Sequence, residues 1–319
     1  MAWRPIIVGV DGTPESLRAA ELAARIASAA RAPLIPVHAA LVIPAFTDVT
    51  GMEPVVFSPE LQNELMRSSR AQITRALEQV LPPAAVERLD VQTGPGPFVL
   101  AEAARRWQAE LVVLGGKQHG ALARGLGRST AHYLVRKLDV PVLVVGDSPA
   151  PITKVLVAVD LSPTSAPTVA AAQRLASPFG ARLRLLHVIE PLRFTALAPA
   201  SWDELGYERR SEELFDRFVT PFKDVPKEDR VVRRGIPAEM IADEAGAWHA
   251  NLVVAGSHGK GWLDRILVGS TTERLVTELP TSILVVPSRT VGKAAGSRQA
   301  QRSSKRSRSG RAAGRLVRA

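Results

Sequence analysis

The chain repeats itself, and that narrows its fold more than any other property. Residues 94–146 align with residues 235–287 without a gap at a constant offset of 141, and 21 of the 53 positions are identical. The block Glu110-Leu-Val-Val-Leu-Gly115 matches Asn251-Leu-Val-Val-Ala-Gly256, and Ser129-Thr130 and Leu134-Val135 recur as Ser270-Thr271 and Leu275-Val276. Near the starts of the copies the offset is 149: Ile6-Ile-Val-Gly-Val-Asp11 matches Val155-Leu-Val-Ala-Val-Asp160, and His38 matches His187. The middle of the first copy is therefore eight residues longer. A tandem duplication of this kind builds one fold twice, here as domains over residues 1–147 and 152–288, followed by a tail over 289–319.

Each copy alternates strand with helix. In the second, residues 155–159 form a short β-branched run suited to a strand buried on both faces. Residues 167–179 carry Val169, Ala172, Leu175 and Ala176 at helical spacing. Strands follow at 183–188, 231–233, 252–255 and 283–286, with helices around 203–218, 238–250 and 271–278. This alternation predicts two tandem open parallel α/β sheets of five strands each, with helices on both faces. Ligands of such sheets bind beyond the carboxyl ends of the strands.

Composition excludes several function classes. With no cysteine there is no disulfide, thiolate zinc site, iron–sulfur cluster or thiol nucleophile. No apolar run approaches the ~18 residues that span a bilayer, and the N-terminus does not read as a secretory leader, so a cytoplasmic protein is the default expectation. The net charge of +10 comes from residues 289–319, which hold ten Lys and Arg and no acid; residues 1–288 balance 31 basic against 31 acidic side chains. That Ser-, Gly- and Ala-rich tail predicts a disordered extension. It reads either as a solubilising appendage or as a salt-sensitive grip on polyanions such as nucleic acid.

After the strand at 252–255 the chain runs Gly256-Ser257-His258-Gly259, then nine residues, then Gly269-Ser270. Gly256 and Gly259 permit a tight turn that exposes amide hydrogens to an anion. Gly269 lets bare backbone approach a phosphate, and Ser270-Thr271-Thr272-Glu273 has the form of a capping box with Ser270 as the cap. Orphan amides and the helix dipole favour phosphate there, with Lys260 and Arg265 as nearby charges.

On these motifs both copies resemble the universal stress protein family, whose nucleotide-binding members carry Gly-x2-Gly-x9-Gly-Ser/Thr. Gly256, Gly259, Gly269 and Ser270 match that pattern, Asp160 matches the family's strand-ending aspartate, and His187-Val188 matches its His-Val pair. The resemblance implies ATP with adenine and ribose near Ala158, Asp160, Val188 and Ala255. It implies a triphosphate along Gly259, Gly269, Ser270 and Thr271, with a divalent cation such as magnesium or manganese. It also implies that the last strands of the two copies, 142–145 and 283–286, meet as edges of an intrachain pseudo-dimer.

The first copy departs from the pattern: Gln118 replaces Gly259, Arg128 replaces Gly269 and Ala39 replaces Val188. Arg128 either fills the space a phosphate needs or mimics a cation, and Gly116, Gly120, Gly125 and Gly127 offer a rerouted loop. One competent site, in the second copy, is expected. His38 and His187 read as structural, His258 sits in the glycine loop, and Trp107 and Trp248 read as helix-on-sheet packing residues. Residues 41–57, apolar and proline-containing, read equally as a lid, a docking loop or a segment packed on its own domain.

No catalytic motif is present, so ATP hydrolysis is expected to be slow and incidental. The leading reading is a nucleotide-responsive stress protein. The others are a nucleotide-independent interaction module, an adenylate-forming enzyme, whose extra motifs are missing, and a version tethered to polyanions by its tail.

Overall fold

The computed structural model describes residues 2–40, 58–116, 123–147, 150–190, 204–257, 269–278 and 281–288. Residues 41–57, Gln118, His119, His258, Gly259, Lys260, Arg265 and the basic tail lie outside the described residues.

The first half runs β1 (Ile6–Gly9), α1 (Pro14–Ala30), β2 (Leu34–Ala40), α2 (Pro59–Leu77), a short α3 (Pro83–Val86), β3 (Asp90–Thr93), α4 (Gly96–Arg106), β4 (Leu111–Gly115), α5 (Ala123–Lys137) and β5 (Val142–Val145). The second runs β6 (Lys154–Val159), α6 (Ser165–Ala176), β7 (Arg182–Ile189), α7 (Glu204–Val219), β8 (Arg230–Arg234), α8 (Pro237–Ala247), β9 (Leu252–Gly256), α9 (Ser270–Glu278) and β10 (Ser282–Val286). Both halves have the same strand order. They join edge to edge as one ten-stranded sheet, β3-β2-β1-β4-β5-β10-β9-β6-β7-β8. Every pairing is parallel except β5 with β10, which is antiparallel. The expected meeting of the two last strands is therefore a hydrogen-bonded seam.

That seam sits on a local pseudo-twofold. Leu143 pairs with Leu284, and these occupy equivalent positions in the two copies. On the helices beside it, His132 of α5 and Glu273 of α9, also equivalent positions, approach to 3.9 Å. Ser282 Oγ accepts a 3.2 Å hydrogen bond from the Gly146 amide across the seam. On the opposite face of the sheet, Arg174 of α6 pairs with Glu110 of the first half and lies 4.9 Å from the Trp3 ring.

Parallel strands buried on both faces explain the unbroken apolar runs. Successive side chains alternate between two cores. Ile6, Val8, Val155 and Val157 pack under α1, α2, α6 and α7, whereas Ile7, Leu156 and Val253 pack under α4, α5, α8 and α9.

The outer strands break the pattern with charge. Asp229, fully buried, accepts from Arg182 and Arg184, while Glu244 accepts from Arg184 and Arg233, each at 2.7 Å. The hydrogen bond from Arg182 to Asp229 raises the Arg182 guanidinium above its ordinary pKa. Arg184 also lies 4.4 Å from the Trp248 ring.

Two expectations need correction. Trp248 is packed as expected, but Trp107 is 42% exposed and hydrogen-bonds Asp90 at the surface. Both residues follow the last turn of a helix, where the local surroundings rather than the periodicity decide burial. Helix α5 begins at Ala123, so Gly125 and Gly127 lie within helix instead of rerouting a loop.

Candidate functional site

A cleft of about 360 Å³ opens above the carboxyl ends of β6, β7 and β9. This is the switch point at which β6 has β7 on one side and β9 on the other. Ala158, Val188 and Ala255 line its floor, and Asp160, Gly256, Gly269, Ser270 and Thr271 surround it. Every expected site residue thus borders one cleft except Gly259, which lies outside the described residues.

The β6–α6 turn sets Asp160. Its Oδ1 accepts from the Ser162 amide at 3.0 Å and from Ser165 Oγ at 2.7 Å, while Ser165 Oγ accepts from the Asp160 amide at 3.2 Å. Holding this turn places Leu161 at φ 62°, where the first copy has Gly12 at 81°. A β-carbon in the left-handed region costs roughly 1–2 kcal/mol, and such strain collects where a fold over-determines a turn. Asp160 Oδ2 is buried and has no hydrogen-bond partner among the described residues.

At the opposite end, the carbonyl of Gly269 accepts the first helical bond of α9, from the Glu273 amide at 2.9 Å. The cap is therefore Gly269, one residue before the expected Ser270. The shift places Ser270, Thr271 and Thr272 in the first turn, where backbone amides have no intrahelical partner. All three line the cleft. Two contacts pin this turn to β9: the Gly269 amide donates to Ser257 O at 2.9 Å, and Thr272 Oγ1 donates to Gly256 O at 2.7 Å.

The sequence did not single out two wall residues, Glu190 just beyond β7 and Tyr207 of α7. His187 also borders the cleft, but its Nδ1 contacts Val159 O at 2.9 Å and its ring stacks on Phe215 at 5.8 Å. His38 repeats the arrangement with Val10 O at 2.8 Å and Ser69 Oγ at 2.9 Å. Both histidines tie neighbouring elements together, as their positions suggested.

The first half has a smaller equivalent cleft, about 270 Å³, lined by Asp11, Thr13, Ala39, Gly115 and Thr130 among others. Its floor differs: Gly9 replaces Ala158, and Leu114, in place of Ala255, approaches the vacated position with Leu100. Its far wall differs more. Thr130, the counterpart of Thr271, lies seven residues into α5, where helical hydrogen bonds occupy the amides. The first-turn donors of α9 have no counterpart at that position.

Comparison with known proteins accounts for the whole duplicated body. The model of the universal stress protein family matches residues 2–146 and again residues 151–287. The chain belongs to this family. A universal stress protein of Mycolicibacterium smegmatis is 33% identical over 292 residues, covering 88% of this chain and 96% of that one. One from Mycobacterium tuberculosis is 31% identical over 294 residues with the same coverages. Among solved structures, a universal stress protein from Archaeoglobus fulgidus superposes with a TM-score of 0.58 at 16% identity, covering 89% of this chain and 98% of its own. This tandem universal stress protein thus shares its two-domain α/β architecture with relatives of matching length. No helix among the described residues is long and apolar enough to cross a membrane.

Proposed function

We propose that this universal stress protein binds ATP in the cleft of its second half and acts as a nucleotide-responsive regulator in stress. The observation that carries the reading is the cleft's polarity. First-turn residues of α9, whose backbone amides have no intrahelical partner, line one end, and the buried acceptor Asp160 Oδ2 has no partner among the described residues. The amides and helix dipole suit phosphate oxygens, and the acceptor suits a ribose hydroxyl or a base amine. Between them the apolar floor of Ala158, Val188 and Ala255 suits a flat ring.

Among the described residues no group of three His, Asp or Glu side chains could hold a metal ion. A magnesium or manganese ion would therefore arrive with the triphosphate, which supplies most of its oxygen ligands, and the Ser270 hydroxyl would add one. Bound ion would offset phosphate charge. With His187 committed to Val159 O and the Ser165–Asp160 hydrogen bond spent on holding the β6–α6 turn, hydrolysis on this reading is slow. Nucleotide binding then acts by favouring one conformation or partner complex over another.

The first half lacks exposed first-turn donors at its equivalent position, which supports a single site per chain. Residues 1–147 and 152–288 are the corresponding domains, and the tail over 289–319 is proposed as a solubilising extension, with weak polyanion contact independent of ATP as its alternative role.

The test is mass spectrometry of nucleotide released from the purified chain, with its amount per chain, beside the variant Gly269→Arg. One ATP per chain, lost in the variant, is expected. Two equivalent nucleotides would defeat the single-site reading. A chain that neither retains nor takes up ATP with magnesium would favour a nucleotide-independent interaction module, the reading that the β5–β10 seam supports.

A further inference from the structure

We infer that Glu190 reads the base of the bound nucleotide by accepting a hydrogen bond from its exocyclic amine. This deepens the nucleotide reading and rests on it. The order β9-β6-β7 puts β7 two strand spacings, roughly 10 Å, from β9. The first turn of α9 follows β9, so an anionic phosphate arm lies at that end. Glu190 follows β7 directly and lines the opposite end together with Tyr207 of α7.

The carboxylates reinforce this direction. Asp160 and Glu190 are the acidic residues lining the described cleft, and both lie on the β6–β7 side. They repel phosphate there and favour the end of a ligand that carries hydrogen-bond donors. Val188, two residues before Glu190, borders the floor that suits a flat ring, so a ring above it extends its edge toward the Glu190 carboxylate. A carboxylate only accepts hydrogen bonds; it rewards an amine on that edge and gains nothing from a bare C–H. The first copy has Leu41 at the equivalent position, so this acceptor is peculiar to the second.

Equilibrium binding of ATP and of purine riboside triphosphate, whose ring lacks the amine but whose phosphates are identical, tests the assignment on the full chain. Wild type should prefer ATP by about tenfold or more, the range for a hydrogen bond to a charged group. Glu190→Ala should bring the ratio near one while leaving purine riboside triphosphate binding within about twofold. Glu190→Gln, which keeps an acceptor without charge, should fall between. Unaltered preference for ATP in Glu190→Ala would overturn the inference and leave the nucleotide reading standing. Failure of wild type to bind either nucleotide would overturn both.

Discussion

Asp160→Asn should move stability and affinity in opposite directions. In the free protein, Asp160 buries one oxygen without a partner among the described residues. An unsatisfied buried polar group costs about 1–3 kcal/mol. Asparagine can keep its carbonyl on the Ser162 amide and the Ser165 hydroxyl, so the turn survives, and the buried negative charge disappears. The unliganded variant should therefore be as stable as wild type or more stable by up to about 1 kcal/mol.

On the proposed reading binding should suffer, because an NH₂ donor replaces the acceptor assigned to the ligand. Losing a charge-assisted hydrogen bond costs about 2 kcal/mol, which weakens affinity roughly 30-fold. At nucleotide a hundredfold above the wild-type Kd, ligand stabilises wild type by about 2.7 kcal/mol. In the variant the same concentration is only about threefold above Kd, and the gain falls to about 0.8 kcal/mol. Denaturant titration with and without magnesium-ATP reads both numbers. A variant clearly less stable without nucleotide would show that Oδ2 is already satisfied within the protein. One that keeps the full ligand-dependent gain would remove Asp160 from the site.

Replacing Arg128 with glycine should not give the first half nucleotide binding, because α5 already runs from Ala123 through that position; a second bound ATP per chain would contradict this. Asp229→Ala should cost about 1–3 kcal/mol in urea unfolding, less than the loss of a fully buried ion pair, since Arg184 keeps Glu244 and Arg182 is half exposed. Leu143→Ala and Leu284→Ala should each cost about 2–5 kcal/mol. As a directly paired couple in the seam, they should depart from additivity by at least about 0.5 kcal/mol in the double variant.

Strand positions were readable because parallel strands covered on both faces require uninterrupted apolar runs, and Val155–Val159 and Leu252–Ala255 are such runs. The site's two poles were readable for another reason: Asp160 follows a strand that the repeat identifies twice, and Gly269 precedes a run with the form of a capping box. Glu190 and Tyr207 were not, since what brings them together is the packing of α7 over β7, and neither belongs to a local motif. Leu161 escaped because a leucine gives no hint of a left-handed backbone; only its alignment with Gly12 could have signalled it. The early start of α5 was hidden by Gly125 and Gly127, whose weak helix propensity is a mild bias that tertiary packing overrides.

When a protein pairs with an identical copy of itself across a twofold, a residue beside the axis meets its own kind, and every substitution changes both sides together. Joining the copies in one chain removes that constraint. His132 and Glu273 hold the same place in the two copies and approach each other beside the Leu143–Leu284 seam. Two identical partners would put histidine against histidine or glutamate against glutamate at this point, with like charges opposed whenever both are ionised. The fused chain instead sets a base against an acid. The same freedom allows α5 to start at Ala123 while α9 starts at Ser270, so a change in one half need not be copied into the other.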